Sequence, residues 1–101
     1  MLTVLRYEIN DAINDVKLPV GAKILSVGLA QDERGKEKIS VWCEVDVAMP
    51  DYRPEATATI RFLVFGTGAN MDDMLNFNAK YIGTVQKSNK YAFHVYVSNF
   101  I

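Results

Sequence analysis

A chain of 101 residues, half of them apolar and 23% charged, is long enough to bury one core and too apolar to stay disordered. Its net charge of −1, from 11 basic and 12 acidic side chains, excludes the strongly basic face that a nucleic acid polymer demands. The single cysteine excludes an intrachain disulfide, and no apolar run is long enough for a membrane-spanning helix. With no secretory h-region at the start, the expectation is a cytoplasmic protein without membrane partners.

Residues 2–9 alternate and predict an outer or edge strand with Leu5, Tyr7 and Ile9 on one side. Residues 18–22 read as a turn, where Pro19 fixes φ and Gly21 relaxes it; residues 16–18 add a further strand if they pair. Residues 22–30 predict a strand carrying Ile24, Leu25, Val27 and Leu29, followed by a polar hairpin loop over 31–36. The clearest period of two lies in residues 38–47. Ile39, Val41, Cys43, Val45 and Val47 share one face, and Ser40, Trp42, Glu44 and Asp46 share the other.

A loop with two prolines, 49–54, precedes a long strand over 56–65, with Ala58, Ile60, Phe62 and Val64 on one face and Thr57, Thr59, Arg61, Leu63 and Phe65 on the other. It ends at Gly66-Thr67-Gly68. Residues 70–75 predict a single helical turn, capped by Asn70 or Asp72. Residues 80–86 and 90–97 predict a second hairpin across 87–89. No helix is long enough to cross over a parallel sheet. The expected fold is all-β: an antiparallel meander of six to seven strands, curled into a small sandwich or barrel as one domain over 1–101.

The chemistry on offer is sparse. His94 is the only histidine, and a base needs company; a strand histidine partnered by a neighbour is the favoured reading over general catalysis with Glu44 or Asp46. One histidine and one cysteine cannot make a zinc site unaided, and neither Asp72-Asp73 nor Glu44/Asp46 has calcium-loop spacing, so no metal, cofactor or catalytic residue is expected. Cys43 falls among valines and reads as core. Gly66-Thr67-Gly68 can turn sharply and present backbone N–H groups to an anion, although it lacks the lysine and long helix of a phosphate-binding loop. Arg61 lies on the same strand. Trp42 is either exposed for stacking or covered as part of a sandwich.

Residues 18–27 (LPVGAKILSV) resemble the opening of a family of short bacteriophage and prophage proteins that carry a domain of unknown function. The blocks at 41–46 (VWCEVD), 61–68 (RFLVFGTG), 81–86 (YIGTVQ) and 93–96 (FHVY) agree in order. The chain departs from the pattern at residues 71–78, which replace a shorter proline-containing loop, and in its tail from residue 98. The resemblance implies a phage-encoded protein acting in the host cytoplasm. Together with the residue inventory, it leads to the expectation of a homo-oligomeric, non-enzymatic binding protein. Its expected ligand is small and anionic, such as a host defence nucleotide signal, held by Trp42, Arg61, Phe65, Gly66, Thr67, Gly68, Tyr81 and His94. The alternative is a structural or protein-interaction component without a small-molecule ligand, with Phe100-Ile101 as contact surface.

Overall fold

The computed structural model describes residues 1–48, 57–72, 78–87 and 90–98. Alternating side chains and β-branched or aromatic residues make seven strands: β1 (Leu2–Glu8), β2 (Ile13–Pro19), β3 (Lys23–Gln31), β4 (Glu37–Asp46), β5 (Thr57–Gly66), β6 (Lys80–Gln86) and β7 (Ala92–Ser98). They form two antiparallel sheets, ordered β1-β4-β3 and β2-β5-β7-β6. The sheets do not close into a barrel; they stack as a sandwich. The proline loop at 49–54, the second half of the expected helical turn (73–75), the hairpin tip at 88–89 and the tail pair Phe100-Ile101 lie outside the described residues.

The expected meander needs correcting. Only β3–β4 and β6–β7 are sequential neighbours in one sheet; the chain changes sheet between β1 and β2, β2 and β3, and β4 and β5. Alternation in a sequence reports which face of a strand is apolar. It does not report which strand lies alongside, and in a sandwich both sheets contribute an apolar face. The segment over 16–18 does pair, as part of β2 against β5.

The inner faces meet in a core of Ile9, Leu18, Ile39, Val41, Cys43, Phe62, Val85 and Val95, with Tyr7, Val27, Ile60 and Val97 packed against it. Cys43 lies in this core, as its valine neighbours predict, and burial pushes its thiol pKa up. The corner into β2 is closed by a buried asparagine. Asn14 accepts from the Asp11 N–H at 2.9 Å and donates to the carbonyls of Asp11 at 2.6 Å and Phe62 at 3.3 Å. That side chain satisfies backbone groups the corner leaves without a ladder partner, and ties the corner to β5.

Two further contacts set the geometry. β3 and β6, the edges of the two sheets on one side, come together where a Cβ on Gly83 would stand 2.5 Å from Val27 Cγ2. The valine methyl is short and rotationally stiff, so the approach tolerates only glycine. On the opposite side, β2 is held to β5 by a two-pronged ion pair: Arg61 Nε donates to Asp15 Oδ1 at 2.7 Å and Nη2 to Oδ2 at 2.9 Å. The guanidinium lowers the Asp15 carboxyl pKa through these hydrogen bonds.

Gly83→Ala is expected to destabilise the domain by about 1–3 kcal/mol in denaturant unfolding, the range for forcing extra volume into packed structure. Val27→Ala in the same chain should recover part of that loss; two strictly additive losses would disprove the contact. For Asp15, the folded-state pKa lies below the unfolded value of about 3.9. The ion pair therefore stabilises above that value and is lost as pH falls through the folded pKa. The stability difference between the native chain and Asp15→Asn should be flat around neutrality and vanish in the acid range, as followed by thermal unfolding across pH.

Candidate functional site

The outer face of the four-stranded sheet carries most of the sequence-predicted site. From β5 it presents Thr59, Arg61, Leu63 and Phe65; β7 places His94 beside Phe65 and Tyr96 beside Leu63. β6 adds Tyr81 beside Tyr96 and Thr84 beside His94. Residues 81 and 84 differ by an odd number, so strict alternation would send them to opposite faces. A register shift between Tyr81 and Gly83 reverses the parity and brings both outward.

That shift assembles a row of hydrogen-bonded side chains. Thr67 Oγ1 lies 2.9 Å from His94 Nε2, His94 Nδ1 lies 3.0 Å from Thr84 Oγ1, and Thr84 Oγ1 lies 2.6 Å from the Tyr81 hydroxyl. Both ring nitrogens of His94 are thus engaged by hydroxyls, which can donate or accept and so serve either tautomer. Alongside runs an edge-to-face aromatic ladder. The Tyr96 ring lies 5.5 Å from that of Tyr81 and 5.9 Å from that of Phe65. Tyr81 is half exposed at 51%, whereas Leu63, between Ile13 and Tyr96 on the same face, is 1% exposed.

The glycine loop at the head of this row is a tight turn. Ala69 N–H donates to the Gly66 carbonyl at 3.0 Å, and Gly68 takes the φ of +88° that the third position of a type II turn requires. Thr67 N–H donates to the Ala92 carbonyl at 3.2 Å. Of the expected anion cradle, the Thr67 amide is therefore committed to β7 and the Gly66 carbonyl to the turn. The loop also places the Thr67 hydroxyl against His94.

Two of the predicted residues stand elsewhere. Arg61 is on the same face but four residues from Phe65, about 13 Å along the strand, and its guanidinium is engaged by Asp15. Trp42 belongs to the other sheet. It sits half-buried on the outer face of β4, between Arg6 and Ser26, with its ring 3.3 Å from where a Cβ on Gly28 would lie. Glu44 and Asp46 share the face of Trp42 and cannot orient His94 from the opposite side of the sandwich. Phe65, Gly66, Thr67, Gly68, Tyr81 and His94 are thus the residues that the fold brings together.

The sequence reasoning did not single out Thr84 or Tyr96. A glycine within a strand pattern, here Gly83, is the signal for a bulge that would have placed Thr84 beside His94. Among the described residues no group of three or more His, Cys, Asp or Glu side chains could hold a metal ion. No helix among them is long and apolar enough to cross a membrane. No curated protein and no solved structure is significantly similar to the chain. The sequence does match the profile of one family over residues 1–100, and the protein belongs to that family, described as a domain of unknown function (DUF7352).

Proposed function

We propose that this is a phage-encoded, non-enzymatic binding protein that holds a small anionic ligand of the nucleotide class on the outer face of its four-stranded sheet. The observation that carries the proposal is the Thr67–His94–Thr84–Tyr81 row beside the Phe65–Tyr96–Tyr81 ladder. A half-exposed ring next to a line of hydroxyls offers a stacking platform for a planar base and hydrogen bonds for its polar remainder. Arg61 is tied to Asp15, so recognition rests on hydroxyls and rings more than on charge, and affinity should fall only shallowly with salt.

A binding role in place of catalysis is supported by the partners of His94. Threonine hydroxyls engage both nitrogens where a general base would be oriented by a carboxylate. The phage origin is supported by the five ordered sequence blocks, and action in the host cytoplasm by the free cysteine kept in the core. The alternative role, a structural or protein-interaction component, is favoured by Leu2 and Val4, which are 63% and 53% exposed on the outer face of the three-stranded sheet.

Titration calorimetry against a panel of cyclic nucleotides should show binding by at least one. Tyr81→Ala and His94→Ala should each weaken it by about tenfold or more, the scale of one stacking or hydrogen-bonding contact, while Trp42→Phe leaves it unchanged. Absence of heat with every nucleotide tested, from a chain shown to be folded by circular dichroism, would remove the nucleotide proposal.

A further inference from the structure

Among the described residues the sandwich has four edge strands, and three of them are guarded. β3 and β6 lie against one another at Val27 and Gly83, and each carries a register shift that disturbs its outer line of hydrogen-bonding groups. On β2, the Val64 N–H donates to the Ala12 carbonyl, so even-numbered residues face β5 and odd-numbered ones face the open side. Pro19 stands in that open line, where it has no N–H, and its carbonyl is taken by Ala22 N–H at 3.0 Å.

β1 has none of these devices. Its register against β4 runs unbroken from Leu2↔Asp46 to Glu8↔Ser40, with no proline and no bulge. Ile9 N–H donates to the Ile39 carbonyl and Val47 N–H to the Met1 carbonyl, both at 2.9 Å, so the odd-numbered residues face β4. Leu2, Val4, Arg6 and Glu8 consequently turn their N–H and C=O groups to the open side. Among the described residues no strand pairs there. Such a line is a template for strand addition, and its side chains select what is added.

Those side chains are self-complementary. Arg6 is fixed on the outer face by donating to Ser40 Oγ at 3.1 Å, and its Nη1 lies 3.8 Å from Glu8 Oε1. In an antiparallel pair of identical strands, residues with outward-facing backbones must meet one another, which permits only a few registers. One sets Arg6 against Arg6, and another sets Glu8 against Leu2. The register centred on Tyr7 overlaps the two strands at residues 6–8, with Val4 opposite Asn10 just past the strand end; it sets Arg6 opposite Glu8 twice over, and builds a four-charge cluster with unlike charges adjacent both along and across the strands.

We infer that β1 pairs antiparallel with β1 of a second copy of this chain, Arg6 opposite Glu8, joining two three-stranded sheets into one. The occupant is a second copy because Arg6 and Glu8 of one edge find their opposite charges, and their backbone partners, in the same two residues of another. The resulting interface is isologous and closes as a dimer.

Light scattering coupled to size exclusion, with sedimentation over a concentration series, tests this. The native chain should dimerise. Arg6→Glu and Glu8→Arg each place like charges together and should weaken the dimer by about tenfold or more, whereas the double exchange Arg6→Glu/Glu8→Arg regenerates the alternating cluster and should restore it. Glu8→Arg leaves the Arg6–Ser40 bond in place and guards against loss of folding being read as loss of dimer; circular dichroism checks the fold of each variant. A native chain that stays monomeric at all concentrations overturns the inference. So does a dimer indifferent to both single reversals, or one that the double exchange fails to recover. An extended peptide that binds β1 without any self-association would show that the edge takes a different occupant, and would also overturn it.

Discussion

Where β6 passes β3, the two sheets approach so closely that Gly83 has no room for a methyl group beside Val27. The consequences of this contact spread in both directions. Inward, it brings Val85 into the core with Val95 and Val41, so that the smaller sheet and the larger one share a single interior. Outward, the same stretch of β6 carries the register shift that reverses side-chain parity between Tyr81 and Thr84. Without the shift, one of those two side chains would point into the core, and the row ending at Thr67 could not form. A packing constraint between sheets and a hydrogen-bonded surface on one sheet thus share one glycine.

The faces of the strands were legible in the sequence, because alternation is a local consequence of the pleat. Residues 38–47 divide in the folded chain as the period of two divides them, with Cys43 inside and Trp42 outside. Strand neighbours were not legible. Nothing in β4 announces that it lies between β1 and β3, because its apolar face meets the other sheet and its ladder partners are recognised by backbone groups that every residue carries. Leu63 shows another limit of the pattern. It alternates correctly onto the outer face beside Arg61 and Phe65, yet it is buried there, because an outer face with Ile13, Tyr96 and Phe65 around it is itself apolar.

The site was legible in its components and not in its assembly. Thr67, Tyr81 and His94 were each identifiable, but Trp42 was grouped with them on chemical type alone, and the sandwich places it on the other sheet. Arg61 was counted as a charge available to a ligand; the strand pairing that puts Asp15 opposite it determines otherwise. A charged side chain in a sheet is interpreted by the residue across from it, and that residue was 46 positions away in the chain.

The two proposed surfaces divide between the two sheets for a geometrical reason. A strand added at β1 extends the three-stranded sheet within its own plane, at the edge remote from β3. It therefore leaves uncovered the outer face of the four-stranded sheet, where Thr67, His94, Thr84 and Tyr81 lie. Self-association through β1 and ligand binding through the hydroxyl–imidazole row compete for no residue. Each copy in a dimer keeps its own row. Mutations on β1 that separate the copies should then leave the row's geometry intact, because the links between the two regions run through a core built from inner-face side chains, which neither strand addition nor an outer-face ligand displaces.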